Sequence, residues 1–525
     1  MNFKNYIFSL ILFLSILLIS CRKNAGNPQW DVDALVPLAG TTLTLNQISN
    51  QFITSSGAGN QLSLVFNNDV YNFTLENIID IPDTSVVNVY PLPPLTATPG
   101  FTLPPIETQT TFNVQGAELN KVIIKSGFVK FEARSQIHER TRMVYEIPKA
   151  VKAGITFKVT VDVPAATGSS DGLISGTYDL SGYEIDLRGK SGSKVNTVYS
   201  TLTTSIPNDA NSVTISLGQA LTITNSFIDI VPYYAHGYFG NVIIDVPPAK
   251  THVDFFKKII SGKIQLGSIS MNLHLQNNIG IDASTTIHYL SAMNSVSGDS
   301  VSLTHTIIGN LQHINRAIEN PFAPYTYSVL LDNSNSNAKT MMECLPDYFG
   351  YAMEVEINPL GNVSGGADFI YYDKGLRASI DMEIPLSLGA DKLTMTDTVN
   401  FSIKESKSFD QIKGGNLNLD VHNKFPFSGF IKLFLLGENN LLLDSLGGAN
   451  TFDAATIDTD SIVRTVKDSK IIFPIDDSKI DHLVSSGRIA FVVQFSTVPS
   501  HAVLKIYKDY KMDLKLVGDF TYRIE

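Results

Sequence analysis

The chain has 525 residues, a formal net charge of −11 and 43% hydrophobic residues. That size and apolar content allow roughly two to four domains with real cores. The acidic balance counts against a nucleic-acid surface, which needs clustered Lys and Arg, and two cysteines cannot make a disulfide framework.

Lys4 opens the chain with a positive charge, and Tyr6 to Ile19 is an apolar run of 14 residues closed by Leu18-Ile19-Ser20-Cys21. The run is too short to span a bilayer comfortably and reads as an export signal. Leu-Ile-Ser-Cys resembles the lipobox of bacterial lipoproteins. The resemblance implies that residues 1–20 are a signal peptide, that Cys21 is the lipidation site, and that the mature chain begins at that acylated cysteine. Residues 21–29 then form a tether. Its eight residues after Cys21 reach at most about 30 Å, so the folded body stays near the membrane. Arg22 follows the cysteine where an aspartate would retain such lipoproteins at the inner membrane, and Lys23 is basic too. This implies the outer membrane and favours its periplasmic face over the cell surface.

Past Trp30, alternation of apolar and polar residues dominates, the mark of half-buried strands. It is clearest in Tyr183–Leu187, Met271–Gln276, Met353–Ile357, Ile380–Ile384 and Leu417–His422. The expected fold is mainly β, with several β-sandwich-like units in series and a few short helices. Short helices are predicted at Pro148–Gly154, His252–Ile260, Pro346–Gly350 and Asp477–Ser486, each followed by Gly and a strand. In the last, Asp476 or Asp477 would be the N-cap and Gly487 the terminator.

Three strands end in Asn followed within three residues by Gly or Pro: Asn277, Asn358 and Asn423. Asn can bond its own backbone two residues on, which makes a bend. The strand–Asn-Pro–strand pattern, strongest at Val355-Glu356-Ile357-Asn358-Pro359, resembles the core of late-embryogenesis-abundant, water-stress-type β-sandwiches.

Boundaries follow composition. Residues 30–106 form an N-terminal β region ending in a Pro-rich extended segment from Tyr90 to Ile106, which cannot be a central strand. Residues 107–250 read as a β-sandwich-like domain, 251–410 as one or more such units, and 411–525 as a C-terminal one.

No catalytic constellation emerges. The ten histidines are scattered, with no pair two to four residues apart, and no metal site is expected. His274 and His422 fall on the polar sides of strands. Gly361-Asn362-Val363-Ser364-Gly365 does not match a nucleophile elbow, and Gly57-Ala58-Gly59 lacks the third glycine of a dinucleotide site. Asp31 with Asp33, and Asp453 with Asp458 and Asp460, lack calcium-loop spacing. Cys344 reads as a small buried hydrophobe. The lone tryptophan, Trp30, counts against a dedicated carbohydrate binder. The densest aromatic run, Tyr233-Tyr234-Ala235-His236-Gly237-Tyr238-Phe239, reads as a core strand and turn, or else as a binding edge.

The expectation is a non-enzymatic, lipid-anchored scaffold or accessory subunit of an outer-membrane assembly, with no cofactor and no nucleic acid. Its partners would be the membrane, through the anchor, and envelope proteins. The alternative is a periplasmic lipoprotein that binds lipid or another hydrophobic ligand in a curved-sheet groove.

Overall fold

The computed structural model describes residues 30–44, 53–55, 61–74, 78, 80–254, 256, 259–401, 412–447, 450–459, 462–499 and 502–524. Cys21, its tether, Gly57 to Gly59, Asp460 and His501 lie outside them. The fold is mainly β: antiparallel sheets with sandwich-like faces and two short α-helices among the described residues. The chain forms two compact units. Unit 1 is Met1–Leu64, Asp254–Ser268 and Ile384–Glu525; unit 2 is Val65–Val253 and Ile269–Glu383.

In unit 1, one sheet has the order Trp30–Thr44, Lys511–Ile524, Ile412–Asn423 and Lys467–Ile475. The other is built around Ser387–Asn400, Arg488–Thr497 and Phe427–Leu436, with Ile259–Leu266 beside the first of these. Alternation decides what is buried: Leu417, Leu419 and Val421 are at most 2% exposed. From the second sheet come Ile431, Leu433, Phe491 and Val493, all fully buried. Phe425, Phe427, Phe452 and Phe495 interlock by edge and stacking contacts at 5.9–6.3 Å.

Unit 2 repeats this plan. Ser270–Asn277, Ala283–Met293, Tyr325–Asp332, helix Ala338–Glu343 and Tyr348–Ile357 follow in chain order. In unit 1 the corresponding run is Ile412–Asn423, Phe427–Leu436, Lys467–Ile475, helix Asp477–Ser485 and Arg488–Thr497. In each, the first strand pairs with the third, the second pairs with the strand after the helix, and a later strand (Gly375–Pro385 or Lys511–Ile524) pairs with the first.

Unit 2 also carries a ten-stranded antiparallel sheet. Its long members are Glu118–Ser135 and Ala220–Tyr238, and Asp368–Tyr371 lies at one margin. Its inner side, including Phe112, Leu119, Val122, Ile185 and Phe227, closes to leave a void of only about 20 Å³. Within the Pro-rich stretch, Leu95–Ala97 is a short strand that pairs with Val213–Ile215 alone among the described residues, and Pro99–Gly100 turns the chain; just before it, Thr84–Pro91 pairs with Ala220–Phe227 alone.

Helix expectations needed correction. Pro148–Gly154 is not helical: Thr141–Lys152 is a strand that buries Met143, Tyr145 and Ile147 by alternation, and Pro148 falls in a bulge where its missing N–H breaks no ladder bond. Ala153 (φ 49°) and Gly154 (φ 80°) make the tight turn into Ile155–Val163. Around the expected helix at His252–Ile260, strands end at His252 and begin again at Ile259; residues 255, 257 and 258 lie outside the described set. The helix near Pro346 sits earlier, at Ala338–Glu343, because Leu345 takes φ 55° and the strand starts at Tyr348. Asp477–Ser485 is helical as expected, with the Asp476 carboxylate accepting from the Lys479 amide.

Candidate binding cleft

The outward face of the ten-stranded sheet gathers polar side chains in rows, because directly opposed residues of antiparallel strands share a face. His236 stands opposite both Lys121 and Phe369, and Lys121 opposite Asp186. One step along, Tyr234 stands opposite Ile123 and Tyr371, and Ile123 opposite Glu184. Register shifts between Ile228 and Gly237 mark bulges, which re-aim side chains. Gly237 (φ 150°) is required there, since a Cβ would run into the Glu118 carbonyl.

Lys121, Glu184, Asp186, Tyr234 and His236 of these rows floor a cleft completed by Asn120, Arg188 and Glu319. Asp186 accepts two hydrogen bonds from the Arg188 guanidinium, 3.0 and 2.8 Å, and lies 3.7 Å from the Lys149 ammonium. Partial burial works to raise its pKa, but the Arg188 bonds prevail and hold it below the ordinary carboxylate value. Lys121 pairs with Glu184 at 3.6 Å. The Tyr234 hydroxyl donates to Glu319 at 2.7 Å, and burial first, then that carboxylate, keep the phenol protonated far above its usual range. Burial pushes the His236 imidazole down, so the ring is neutral at neutral pH. Its nitrogens have no protein hydrogen-bond partner among the described residues.

Segment 315–323 covers one side of the cleft. Arg316 anchors it with two hydrogen bonds to Asp282 Oδ2, 3.1 and 2.6 Å, and a third to Asp368 at 3.2 Å. The Asp368 side chain is fully buried and also accepts from Asn358 Nδ2 at 2.9 Å. Ala317 packs on Tyr234 and Phe369, with Ile123 and Tyr371 around them.

An aromatic rim adjoins this polar floor. Tyr371 is its hub, with ring centroids 4.9 Å from Tyr234, 6.2 Å from Tyr233, 6.0 Å from Phe369 and 6.3 Å from Phe322. Tyr233 and Phe322 remain 46% and 41% exposed. The aromatic run is therefore divided: Tyr234, Ala235 and Phe239 are buried, while Tyr233 faces solvent.

Other residues singled out in the sequence do not join this site. His274 bonds Ser328 and Asp381, and His422 bonds Asp468, each on an outward sheet face. Asp31 pairs with Arg523, Asp453 with Lys467 and Asp458 with Arg464, so these acids are met by cations. No group of three or more metal-ligating side chains occurs among the described residues. Cys344 is half-buried, its thiol donates to the Met341 carbonyl, and burial pushes its pKa to about 11. Asp186, Arg188, Glu319 and Tyr371 were missed, because nothing local in the sequence links residues that only strand pairing and the Arg316 anchor bring together.

No family model matches the chain, and no curated protein matches it. Among solved structures, a candidate secreted protein from Parabacteroides distasonis ATCC 8503 is similar at 14% identity and TM-score 0.27, over 53% of this chain and 82% of that one. A structure of infectious bursal disease virus, Gx strain, is similar at 9% identity and TM-score 0.11, over 91% of this chain and 84% of that one. At such TM-scores neither resemblance carries weight.

Proposed function

We propose that this chain is a lipid-anchored lipoprotein of the outer membrane, facing the periplasm, that serves as a non-enzymatic scaffold or accessory subunit of an envelope assembly. The observation that carries the reading is Leu18-Ile19-Ser20-Cys21 closing a short apolar run behind Lys4. The fold supplies a docking feature in keeping with it. Thr84–Pro91 is bonded along one side only among the described residues, carries no charge, and turns Val87 and Val89, each 61% exposed, to solvent. A strand edge of that kind is readily extended by a strand from a partner.

The rival reading, a carrier of hydrophobic ligands, needs an apolar space of several hundred Å³. The interior of the ten-stranded sheet offers room for about one water molecule. Radiolabelled palmitate should enter the full-length chain and vanish with Cys21→Ala. Crosslinking in intact cells should then capture discrete envelope proteins, and Val87→Lys/Val89→Lys should reduce that capture. A chain that takes up no palmitate and is recovered freely soluble and unpartnered would refute the reading.

A further inference from the structure

We propose that the cleft between Lys121, Asp186, Tyr234, His236 and Glu319 binds a neutral glycan, with Tyr233, Tyr371 and Phe322 as its stacking rim. This goes beyond the scaffold reading and does not depend on the anchor.

The argument begins with the floor. Every side chain lining it carries a hydrogen-bonding group, and none is aliphatic. Two cations, Lys121 and Arg188, stand against three carboxylates, those of Glu184, Asp186 and Glu319, and His236 is neutral. Such near-balance gives no strong field to draw in a phosphate, a sulfate or a polycation. An extended peptide would find no apolar pockets for its side chains here. What a balanced, densely polar floor offers is many donors and acceptors in fixed directions. Fixed they are: Arg188 is clamped on Asp186, Tyr234 on Glu319, and segment 315–323 is pinned through Arg316. Pre-organised groups of this kind lose little freedom when a ligand binds. The His236 nitrogens, unpaired among the described residues, supply one further donor and one acceptor.

The rim completes the match. A sugar has an apolar C–H face as well as hydroxyls, and exposed aromatic rings beside a polar floor meet both. The single tryptophan of the sequence counted against this ligand class, but the fold assembles tyrosine and phenylalanine rings from three separate segments to the same end.

The full-length chain in detergent can be screened against immobilised oligosaccharides, including neutral gluco-, manno- and xylo-oligosaccharides and sulfated or uronic-acid controls. Calorimetry then gives an affinity for the best neutral hexasaccharide. Binding of at least one neutral series is expected, with His236→Ala and Phe322→Ala each weakening it about tenfold or more. Circular dichroism melting should show both variants folded; Phe322 is solvent-exposed, so its variant keeps the test sound if His236→Ala is unstable. Binding of anionic glycans alone, no binding at millimolar ligand, or affinity unmoved in folded variants would each overturn the proposal.

Discussion

Asn277 and Asn423 make the same three side-chain hydrogen bonds. Each Oδ1 accepts from the amide two residues on, Ile279 at 3.0 Å and Phe425 at 2.9 Å. Each Nδ2 donates to the carbonyl four residues on, Ile281 at 2.8 Å and Phe427 at 2.9 Å, and to a more distant one, Asn315 and Asp453, both at 2.9 Å. Both side chains are fully buried and both end the first strand of the repeated sandwich plan. Asn358 departs from them: it adopts φ 50° and gives its amide to Gly240 and Asp368.

Asn277→Ala and Asn423→Ala each strand a buried amide and two carbonyls. Each should therefore lower stability by about 3 kcal/mol or more, since each of the three orphaned buried groups costs about 1–3 kcal/mol. Urea denaturation followed by circular dichroism measures this. Replacement with Asp should cost at least as much as Ala, because its second carboxylate oxygen, buried, would face two carbonyl acceptors with no proton between them.

Arg316→Met should be among the most damaging single changes, because it leaves the Asp368 carboxylate buried with only Asn358 as a partner among the described residues. The expected loss is about 3–5 kcal/mol, largely recovered by adding Asp368→Asn. A pH effect accompanies it. Burial works to raise the Asp282 carboxyl, but the Arg316 hydrogen bonds prevail and hold its pKa below the ordinary value. A depressed folded pKa adds stability above the unfolded value of about 3.9, and that stability is lost as pH falls through the folded pKa. The stability gap between the wild type and the Arg316→Met chain should therefore narrow as pH falls through that range, read from urea midpoints at stepped pH.

The Ala153–Gly154 turn predicts a gain. Both residues have positive φ, a geometry that suits Asn-Gly far better than Ala-Gly. Ala153→Asn should raise stability by about 0.5–1 kcal/mol, read from the urea midpoint. Gly154→Ala should lower it.

Cys344 should be nearly inert. With its pKa raised to about 11, about one thiol in a thousand is ionised at pH 8, and only the thiolate reacts. In a Cys21→Ser chain, iodoacetamide labelling should be at least about a hundredfold slower than for glutathione and should accelerate on unfolding in guanidinium.

Strand content was legible in the sequence because alternation is local: Leu417, Leu419 and Val421 point inward just as their spacing demands. The helix at Asp477 was equally legible, since its cap is written into adjacent residues. Pro148–Gly154 misled because a bulge and a two-residue turn use the same Pro, Ala and Gly that open and close a helix. The cleft was mostly illegible. Tyr234 and His236 stood out as part of an aromatic run, but pairing across the sheet brings them to Asp186, and a buried ion pair brings Glu319.

Trp30–Thr44 pairs along its whole length with Lys511–Ile524. Synthesis delivers these two segments far apart in time, so the earlier one must wait, without its ladder, until Lys511–Ile524 has also been made. Long-range pairing of this kind makes folding slow and exposes unpaired edges on the way. Truncation shortly before Lys511 would therefore leave the first-made strand permanently without its neighbour, and degradation, not partial activity, is the expected fate of such a product.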